Sequence, residues 1–224
     1  MRSRDLVHRY FAKEAARFDA IYDDTKPLHQ RIGDALFRRV ILERFSLVVN
    51  ALGAPGKSVL DVGCGPGRYG LELARRSAAR CVGVDVAAEM IDIARSEADK
   101  AGVSGSCEWI VSDYESFETS ERFDAVLAMG YFDYLEEPDG HLAKMMRQCK
   151  GRIFASLPKR WTVRTGLRKV RFELERGFVR FYSRGEALDL FARQGPLQYL
   201  SLVDLGRDYL AIYDRGAAEA VAAR

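Results

Sequence analysis

With 224 residues, the chain is long enough for one large domain, or for one domain with an appendage. Because 48% of the residues are hydrophobic, it can bury a sizeable core, and its net charge of +3 is too small to require a nucleic-acid partner. No apolar stretch reaches about 18 residues, and no apolar signal segment follows the charged N-terminus, so we expect no membrane span and a cytoplasmic location.

The first 52 residues carry apolar side chains at helical spacing and precede the alternating part of the chain. Pro27 is typical of a helix start, whereas Gly53, followed by Pro55 and Gly56, is typical of a helix end. We therefore interpret residues 1–52 as an N-terminal helical extension that forms a lid.

Short apolar runs alternate with helical stretches through the middle of the chain. The predicted strands are Ser58–Val62, Arg80–Asp85, Cys107–Val111, Phe123–Met129 and Arg152–Ser156. The predicted helices are Arg68–Arg80, Ala87–Ala101 and Pro138–Lys150. This alternation predicts an α/β domain with a doubly wound, mostly parallel sheet, in which ligands bind at the carboxyl ends of the strands.

The last part of the chain predicts one more helix and a pair of strands. Ser183 is typical of the N-cap of a helix. The runs Leu197–Val203 and Tyr209–Tyr213 are joined by turn residues and predict an antiparallel hairpin that completes a seven-stranded sheet. We expect the alanine-rich residues 217–224 to be frayed.

The predicted α/β domain spans residues 53–216 and contains an insertion, residues 157–184, after the fifth strand. The insertion has nine Lys or Arg residues, two Glu residues and five interleaved aromatic residues. Three interpretations stay open: a solvated cap, a substrate lid for a carboxylated or phosphorylated aromatic acceptor, and an RNA contact.

The cysteines carry no sign of a metal site. They are Cys64, Cys81, Cys107 and Cys149. None stands in a C-x-x-C spacing and no histidine lies near them in sequence, so we expect neither a bound metal nor a disulfide framework.

The strongest local signal is the glycine loop, residues 63–67, which follows a predicted strand and precedes a predicted helix. Residues 65–70 match the pattern G-x-G-x-x-G, and Asp85 lies where dinucleotide-binding folds place a ribose-binding acid. However, Asp61 would meet a pyrophosphate with a like charge, and Pro66 lacks an amide that a phosphate would bind. The cationic cofactor S-adenosylmethionine suits this loop better, and an NAD-dependent oxidoreductase stays open as the alternative.

The run Asp61-Val62-Gly63-Cys64-Gly65-Pro66-Gly67 resembles the first motif of class I S-adenosylmethionine-dependent methyltransferases. The resemblance implies a Rossmann-like methyltransferase fold and S-adenosyl-L-methionine as the cofactor. It also implies that Gly63, Cys64 and Gly65 lie against the amino-acid part of the cofactor, while Asp61 orients its ammonium group.

The next strand ends in a run that resembles the second motif of this family, Val82-Gly83-Val84-Asp85. The resemblance implies that Asp85 binds both ribose hydroxyls, for which a carboxylate with two acceptor oxygens is suited. Val86 follows it in the predicted cofactor site. Met90 falls where family members place an apolar residue against the adenine, although it also fits an ordinary core position.

The third and fourth strands extend the resemblance. Asp113 resembles the acid that accepts from the adenine amino group, with Tyr114 beside it, although Asp113 is also typical of a loop start. The fourth motif would place Met129 or Gly130 at the reaction centre. Asp124, at the entrance of that strand, is interpreted as structural.

The segment after the fourth strand is the predicted acceptor side and the place of the candidate catalytic residues. Many methyltransferases of small molecules have two histidines where this chain has Asp133 and Tyr134. Asp133 could serve as a base or orient the acceptor, and Tyr131 and Tyr134 could form an aromatic wall. We expect His141 to lie on a solvent-facing turn of a helix.

The N-terminal extension resembles the segment that precedes the domain in methyltransferases of small molecules. The resemblance implies that an aromatic side chain, Phe18 or Tyr22, closes over the cofactor.

The sequence therefore predicts an S-adenosylmethionine-dependent methyltransferase of a small-molecule acceptor, with a homodimer as a further expectation. The fourth strand lacks the Asn/Asp-Pro-Pro-Tyr/Phe pattern of amino-methylating nucleic-acid enzymes, so nucleic acid is not the expected partner. An RNA methyltransferase that uses the basic insertion, and a non-catalytic protein that only binds the cofactor, stay open as alternatives.

Overall fold

A computed structural model describes residues 41–160 and 178–222 of the chain. The strands in these ranges are β1 Ser58–Val62, β2 Arg80–Asp85, β3 Cys107–Val111, β4 Phe123–Ala128, β5 Cys149–Pro158, β6 Leu200–Asp204 and β7 Asp208–Asp214. The α-helices are α1 41–52, α2 Arg68–Arg75, α3 Ala88–Lys100, α4 Pro138–Gln148, α5 Arg184–Ala192 and α6 Arg215–Ala222. Short 3₁₀-helices span Ser104–Ser106, Phe132–Tyr134 and Leu197–Tyr199. No helix in the described ranges is long and apolar enough to cross a membrane.

The strands form one seven-stranded sheet in the order β3-β2-β1-β4-β5-β7-β6. The first five are parallel, while β7 runs antiparallel to both of its neighbours. The doubly wound sheet and the C-terminal hairpin predicted from the sequence are therefore confirmed. The chain order reverses between β1 and β4, so a ligand crevice is expected at the carboxyl ends of these two strands.

The central strands read as continuous apolar runs because helices cover both faces of the sheet. Val59, Leu60 and Val62 of β1 are completely buried. The sheet is thus a rigid support for the loops at its carboxyl edge.

Two elements differ in length from the predicted ones. The helix α2 ends at Arg75 instead of Arg80, because Ser77 adopts a left-handed φ of 66° and Ala78 donates back to the carbonyl of Leu73. The strand β5 is longer than predicted, since its segment from Arg152 to Pro158 pairs with β7.

The C-terminal tail is helical up to residue 222, so the expected fraying from residue 217 is wrong there. The Asp214 carboxylate accepts a hydrogen bond of 2.8 Å from the amide of Ala217, and Ala218 is buried. Glu219 forms an ion pair with Arg122, far away in sequence. These tertiary contacts offset the chain entropy that frays an unsupported end.

Most of the predicted N-terminal lid, including Phe18 and Tyr22, lies outside the described residues. Its last part is the helix α1, which ends before Gly53, as expected; that glycine has a φ of +64°. Val48 and Val49 of α1 are buried in a cluster with Leu127 of β4, so this helix packs onto the sheet.

Candidate active site

The glycine loop leaves β1 at the carboxyl edge of the sheet. Gly63 has a φ of +67°, and a Cβ atom there would lie 2.8 Å from Cδ2 of Tyr131. Gly65 also has a positive φ, of +52°, but a Cβ atom there would meet no described atom within 4 Å. The loop is therefore closed by an aromatic ring at Gly63 and open to a ligand at Gly65.

The backbone amides of the glycine loop donate within the protein. Those of Gly63 and Cys64 donate to the carbonyl of Val84, at 2.8 and 3.2 Å. The amide of Gly65 donates to Oδ2 of Asp85 at 2.8 Å. A pyrophosphate at a loop of this kind is held by such amides, so their engagement here disfavours a dinucleotide.

The match to G-x-G-x-x-G has a packing explanation in the side chain of Trp109 on β3. A Cβ atom on Gly67 would lie 2.5 Å from Cη2 of this ring, and one on Gly70 would lie 2.8 Å from the same atom. Gly83 is equally close to the indole. These glycines make room for the buried tryptophan, so they do not indicate phosphate binding.

Asp61, the penultimate residue of β1, is a carboxylate in an unusual environment. It is only 3% exposed, and its Oδ2 atom has no hydrogen-bond partner among the described residues. Burial, together with the charge of Asp85, raises the pKa of Asp61 to about 7. A buried carboxylate oxygen of this kind fits a cationic ligand group, such as the ammonium of S-adenosylmethionine.

Asp85, at the end of β2, lies beside the open part of the glycine loop. Its two carboxylate oxygens accept hydrogen bonds from the amides of Gly65 and Ala87, at 2.8 and 2.9 Å. A carboxylate has acceptor sites on both oxygens, so a residue of this type at this place suits a vicinal diol. Val86 is 37% exposed next to it, whereas Met90 is buried on α3.

At the predicted adenine side of the site, the two candidate residues both make hydrogen bonds within the protein. Asp113 accepts a hydrogen bond of 3.1 Å from the amide of Glu115, which is typical of a turn residue. Tyr114 is buried, and its hydroxyl donates to Oε1 of Gln148 at 2.6 Å. Burial raises the pKa of Tyr114, so it stays a neutral hydroxyl.

Tyr131 joins the glycine loop to a chain of polar groups. Its hydroxyl lies 2.8 Å from Nδ1 of His141, and Nε2 of His141 lies 3.0 Å from Oε1 of Glu115. The His141 side chain is only 10% exposed, because its ring packs against Tyr114 and Tyr131. The expected solvent-facing position of His141 is therefore wrong.

Asp133 and Tyr134 lie in the 3₁₀-helix that follows Tyr131. Asp133 is buried, and its backbone carbonyl accepts a hydrogen bond of 2.8 Å from the amide of Arg180. Tyr182 donates to the carbonyl of Phe132 at 3.3 Å. The end of the basic insertion that the structure describes thus lies along the acceptor-facing segment, while residues 161–177 lie outside the described ranges.

Arg44 of α1 is a charged group at this edge that sequence reasoning missed. It forms an ion pair of 3.0 Å with Asp208 of β7, and its Nε atom is buried without a partner among the described residues. Burial opposes the charge of Arg44, but the nearby Tyr69, Asp208 and Asp133 outweigh this effect and raise the pKa of its guanidinium. No local pattern could reveal Arg44, because its ion-pair partner lies 164 residues away.

Two further predicted positions are at the ends of strands. Met129 follows β4 and packs, partly buried, on the cluster that contains the α1 side chains. Asp124 lies at the opposite end of β4, as expected, where its Oδ2 atom accepts from the amide and hydroxyl of Ser58 at 2.9 and 3.0 Å. Burial would raise the pKa of Asp124, but these hydrogen bonds and the charge of Lys150 lower it overall.

The cysteines of the described ranges are free thiols. Within these ranges, no group of three or more His, Cys, Asp or Glu residues could hold a metal ion.

The comparisons with known proteins identify the central part of the chain. Residues 59–151 match the family model described as a methyltransferase domain. This range contains β1 apart from Ser58, β2 to β4, the glycine loop and the Tyr131 segment. The matched range is less than half of the chain, and the match agrees with the resemblance to class I S-adenosylmethionine-dependent methyltransferases.

Curated relatives of the chain are methyltransferases of larger size. The ubiquinone biosynthesis O-methyltransferase of Hahella chejuensis is 29% identical over 146 residues, which cover 65% of this chain and 54% of that protein. The protein of the same name from Azorhizobium caulinodans is 36% identical over 136 residues, covering 55% of this chain and 52% of the relative. The chain thus spans about half the length of these relatives.

Solved structures resemble the chain over nearly its whole length. Magnesium protoporphyrin IX methyltransferase from Synechocystis PCC 6803, with S-adenosylhomocysteine bound, has a TM-score of 0.74 at 18% identity and covers 95% of this chain and 99% of its own. Geranyl diphosphate C-methyltransferase from Streptomyces coelicolor has a TM-score of 0.67 at 16% identity, covering 95% and 97%. At these identities, the likeness establishes the fold, which is the Rossmann-like methyltransferase fold.

Proposed function

We propose that the protein transfers the methyl group of S-adenosylmethionine to a small organic acceptor. The observation that carries the proposal is the buried Oδ2 atom of Asp61, which has no partner in the described ranges and lies beside a loop whose amides are already engaged. A cation that enters this site gains a charge-assisted hydrogen bond that a phosphate cannot make.

The residues of the site have distinct roles in this proposal. Asp61 would hold the ammonium group, Asp85 the ribose hydroxyls, and the open side of Gly65 would face the amino-acid part of the cofactor. When bound, the cofactor supplies a methyl group on a cationic sulfur, which is a good leaving group. The protein then has mainly to orient the acceptor and to exclude water.

The acceptor side favours a small molecule. Three of the similar proteins are named for ubiquinone biosynthesis, magnesium protoporphyrin IX and geranyl diphosphate, and all three names refer to metabolites. In this chain, Arg180 and Tyr182 of the insertion lie against the segment of Asp133, where a substrate lid would be. These contacts favour the substrate lid over the solvated cap for the end of the insertion that the structure describes, residues 178–184.

Titration calorimetry of the whole chain tests the cofactor assignment. We expect S-adenosylmethionine and S-adenosylhomocysteine to bind with one-to-one stoichiometry, whereas NAD should produce no binding heat. Binding of NAD alone would reverse the assignment in favour of an oxidoreductase. If the cofactor binds but no acceptor in a metabolite panel is methylated, the result would support a non-catalytic protein that only binds the cofactor.

The homodimer, the cytoplasmic location and the absence of a nucleic-acid partner are also predictions. Light scattering and cell fractionation test the first two. RNA binding that weakens steeply as the salt concentration rises would instead support an RNA methyltransferase that binds its substrate through the basic insertion.

A further inference from the structure

A polar chain connects the glycine loop to the surface of the domain through residues that are distant in sequence. Its members are Tyr131 after β4, His141 on α4 and Glu115 after β3. The two links are 2.8 Å, from the Tyr131 hydroxyl to Nδ1 of His141, and 3.0 Å, from Nε2 to Oε1 of Glu115. Both distances are those of hydrogen bonds.

The order of these groups determines which nitrogen of His141 carries the proton. The Glu115 carboxylate can only accept, so Nε2 of the neutral imidazole carries the hydrogen and donates it. Nδ1 is then the acceptor, and the Tyr131 hydroxyl donates to it. In this arrangement, His141 can take a proton from Tyr131, and Glu115 stabilises the imidazolium that forms.

The two ends of the chain have opposite environments. The Tyr131 ring lies against Gly63, with Cδ2 only 2.8 Å from the place of a Cβ atom, so it borders the predicted cofactor site. At the other end, the Glu115 side chain is 45% exposed, while that of His141 between them is 10% exposed. The chain therefore leads from the partly buried Tyr131, through the nearly buried His141, to the exposed Glu115.

Lys144 of α4 is a further charged group near His141. The ammonium of Lys144 lies 5.1 Å from the centre of the Tyr114 ring, which stacks on His141. It donates to the carbonyls of Tyr114 and Glu115 and to the carboxylate of Glu118. Lys144 is thus held by Glu118 and by backbone oxygens, while the carboxylate of Glu115 faces the imidazole.

We infer that Tyr131, His141 and Glu115 form a proton relay for acceptors that are methylated on a hydroxyl group. This inference rests on the proposed function and narrows its substrate class to hydroxyl acceptors, such as phenols and enols. A neutral hydroxyl is a poor nucleophile, so its oxygen must lose a proton as it attacks. The predicted aromatic wall residue Tyr131 thereby becomes the group that touches the acceptor, and His141 and Glu115 act through it.

The transfer step balances with the groups present. The acceptor oxygen forms a bond to the methyl carbon, and the electron pair of the broken carbon–sulfur bond stays on sulfur. The acceptor proton passes to the Tyr131 oxygen, while the original Tyr131 proton passes to Nδ1 of His141. The imidazolium then loses one proton to water, past the exposed end at Glu115, and proton exchange with water restores the neutral ring with its hydrogen on Nε2.

Nitrogen NMR of the histidine rings tests the arrangement without any acceptor. The chain has only three histidines, so labelled histidine gives few signals, and the His141→Gln variant assigns the relevant pair. At pH 8, with S-adenosylhomocysteine bound, we expect a neutral ring with its hydrogen on Nε2. A hydrogen on Nδ1 would overturn the relay, because that nitrogen could not accept a proton from Tyr131.

Kinetics on phenols of graded acidity test the relay itself. For a weakly acidic phenol, His141→Gln should lower kcat by about 100-fold or more and remove the acid limb of the pH profile, which is the usual contribution of general base catalysis. The loss should shrink for a phenol that is already ionised at the assay pH. Glu115→Gln should lower kcat in the same way but by a smaller factor. The matched control is Glu118→Gln, because Glu118 is a nearby surface carboxylate.

The outcomes separate the two proposals. Equal losses on ionised and neutral phenols would assign His141 a merely structural role and overturn the relay. Methyl transfer only to carbon, nitrogen or carboxylate acceptors would overturn the hydroxyl class while leaving the methyltransferase intact. Failure of calorimetry to detect S-adenosylmethionine binding by the native protein would overturn the proposed function instead.

Discussion

The two halves of the carboxyl edge of the sheet are built by different means. The predicted cofactor half, at β1 and β2, uses side chains and amides that lie within a few residues of a strand end, such as Asp61, Gly65 and Asp85. The predicted acceptor half, beyond β4, is assembled from α1, the insertion, α4 and β7. Its contacts include the pairing of Arg44 with Asp208, 164 residues apart. Local chemistry therefore identifies the first half, and tertiary packing forms the second.

Among the variants that test this contrast, we expect Asp61→Asn to have the largest effect. The loss of a buried charge partner should weaken S-adenosylmethionine binding by about 2–3 kcal/mol, measured by calorimetry. The ligand-free variant should be more stable than the native protein at pH 8, by roughly 1–3 kcal/mol in denaturant unfolding. The pKa of Asp61 is raised to about 7, so ionising this buried group costs stability as the pH rises.

Gly63→Ala tests the contact between the two halves. The residue has a φ of +67°, and the added Cβ atom would lie 2.8 Å from the Tyr131 ring. We expect a loss of about 1–3 kcal/mol in unfolding free energy, together with weaker cofactor binding. Gly53→Ala is a suitable control, since that residue also has a positive φ of +64° but no described neighbour within 4 Å. If Gly63→Ala and Gly53→Ala lower the unfolding free energy equally, the loss comes from backbone strain alone and not from the contact with the Tyr131 ring.

Asp85→Ala should weaken cofactor binding by about 1–3 kcal/mol, the range for a charged hydrogen-bond acceptor. The matched control is Asp124→Ala, because Asp124 is a carboxylate at the opposite end of the sheet. This control should lose stability but retain cofactor affinity. Unchanged affinity in the Asp85 variant would remove this residue from the cofactor site.

The smallest expected effect is a pH dependence of cofactor binding. Below pH 7, Asp61 is mostly protonated in the free protein, whereas a bound cation favours its ionised form. Affinity should therefore fall as the pH drops from about 7.5 to 5.5, a range in which an α-amino group stays largely protonated. Calorimetry in buffers of different ionisation heats should show nearly one proton released at pH 6. Proton uptake would contradict the role of Asp61.

The sequence by itself determined the sheet, the hairpin and the glycine loop. Apolar runs such as Ser58–Val62 reflect burial, and glycines such as Gly65 reflect the local backbone conformation. Both can therefore be recognised in the sequence without a structure. The match of residues 65–70 to a dinucleotide pattern shows the limit of such reading. Only the structure revealed that Gly67 and Gly70 make room for Trp109.

The tertiary structure decided which polar groups meet at the acceptor side. His141 looked solvent-facing from its helix, but the fold places it between Tyr131 and Glu115. The alanine-rich tail looked frayed, yet packing onto β5 and the ion pair of Glu219 with Arg122 hold it as a helix. Contacts between distant segments depend on how the helices pack on the sheet, and that packing leaves no local pattern in the sequence.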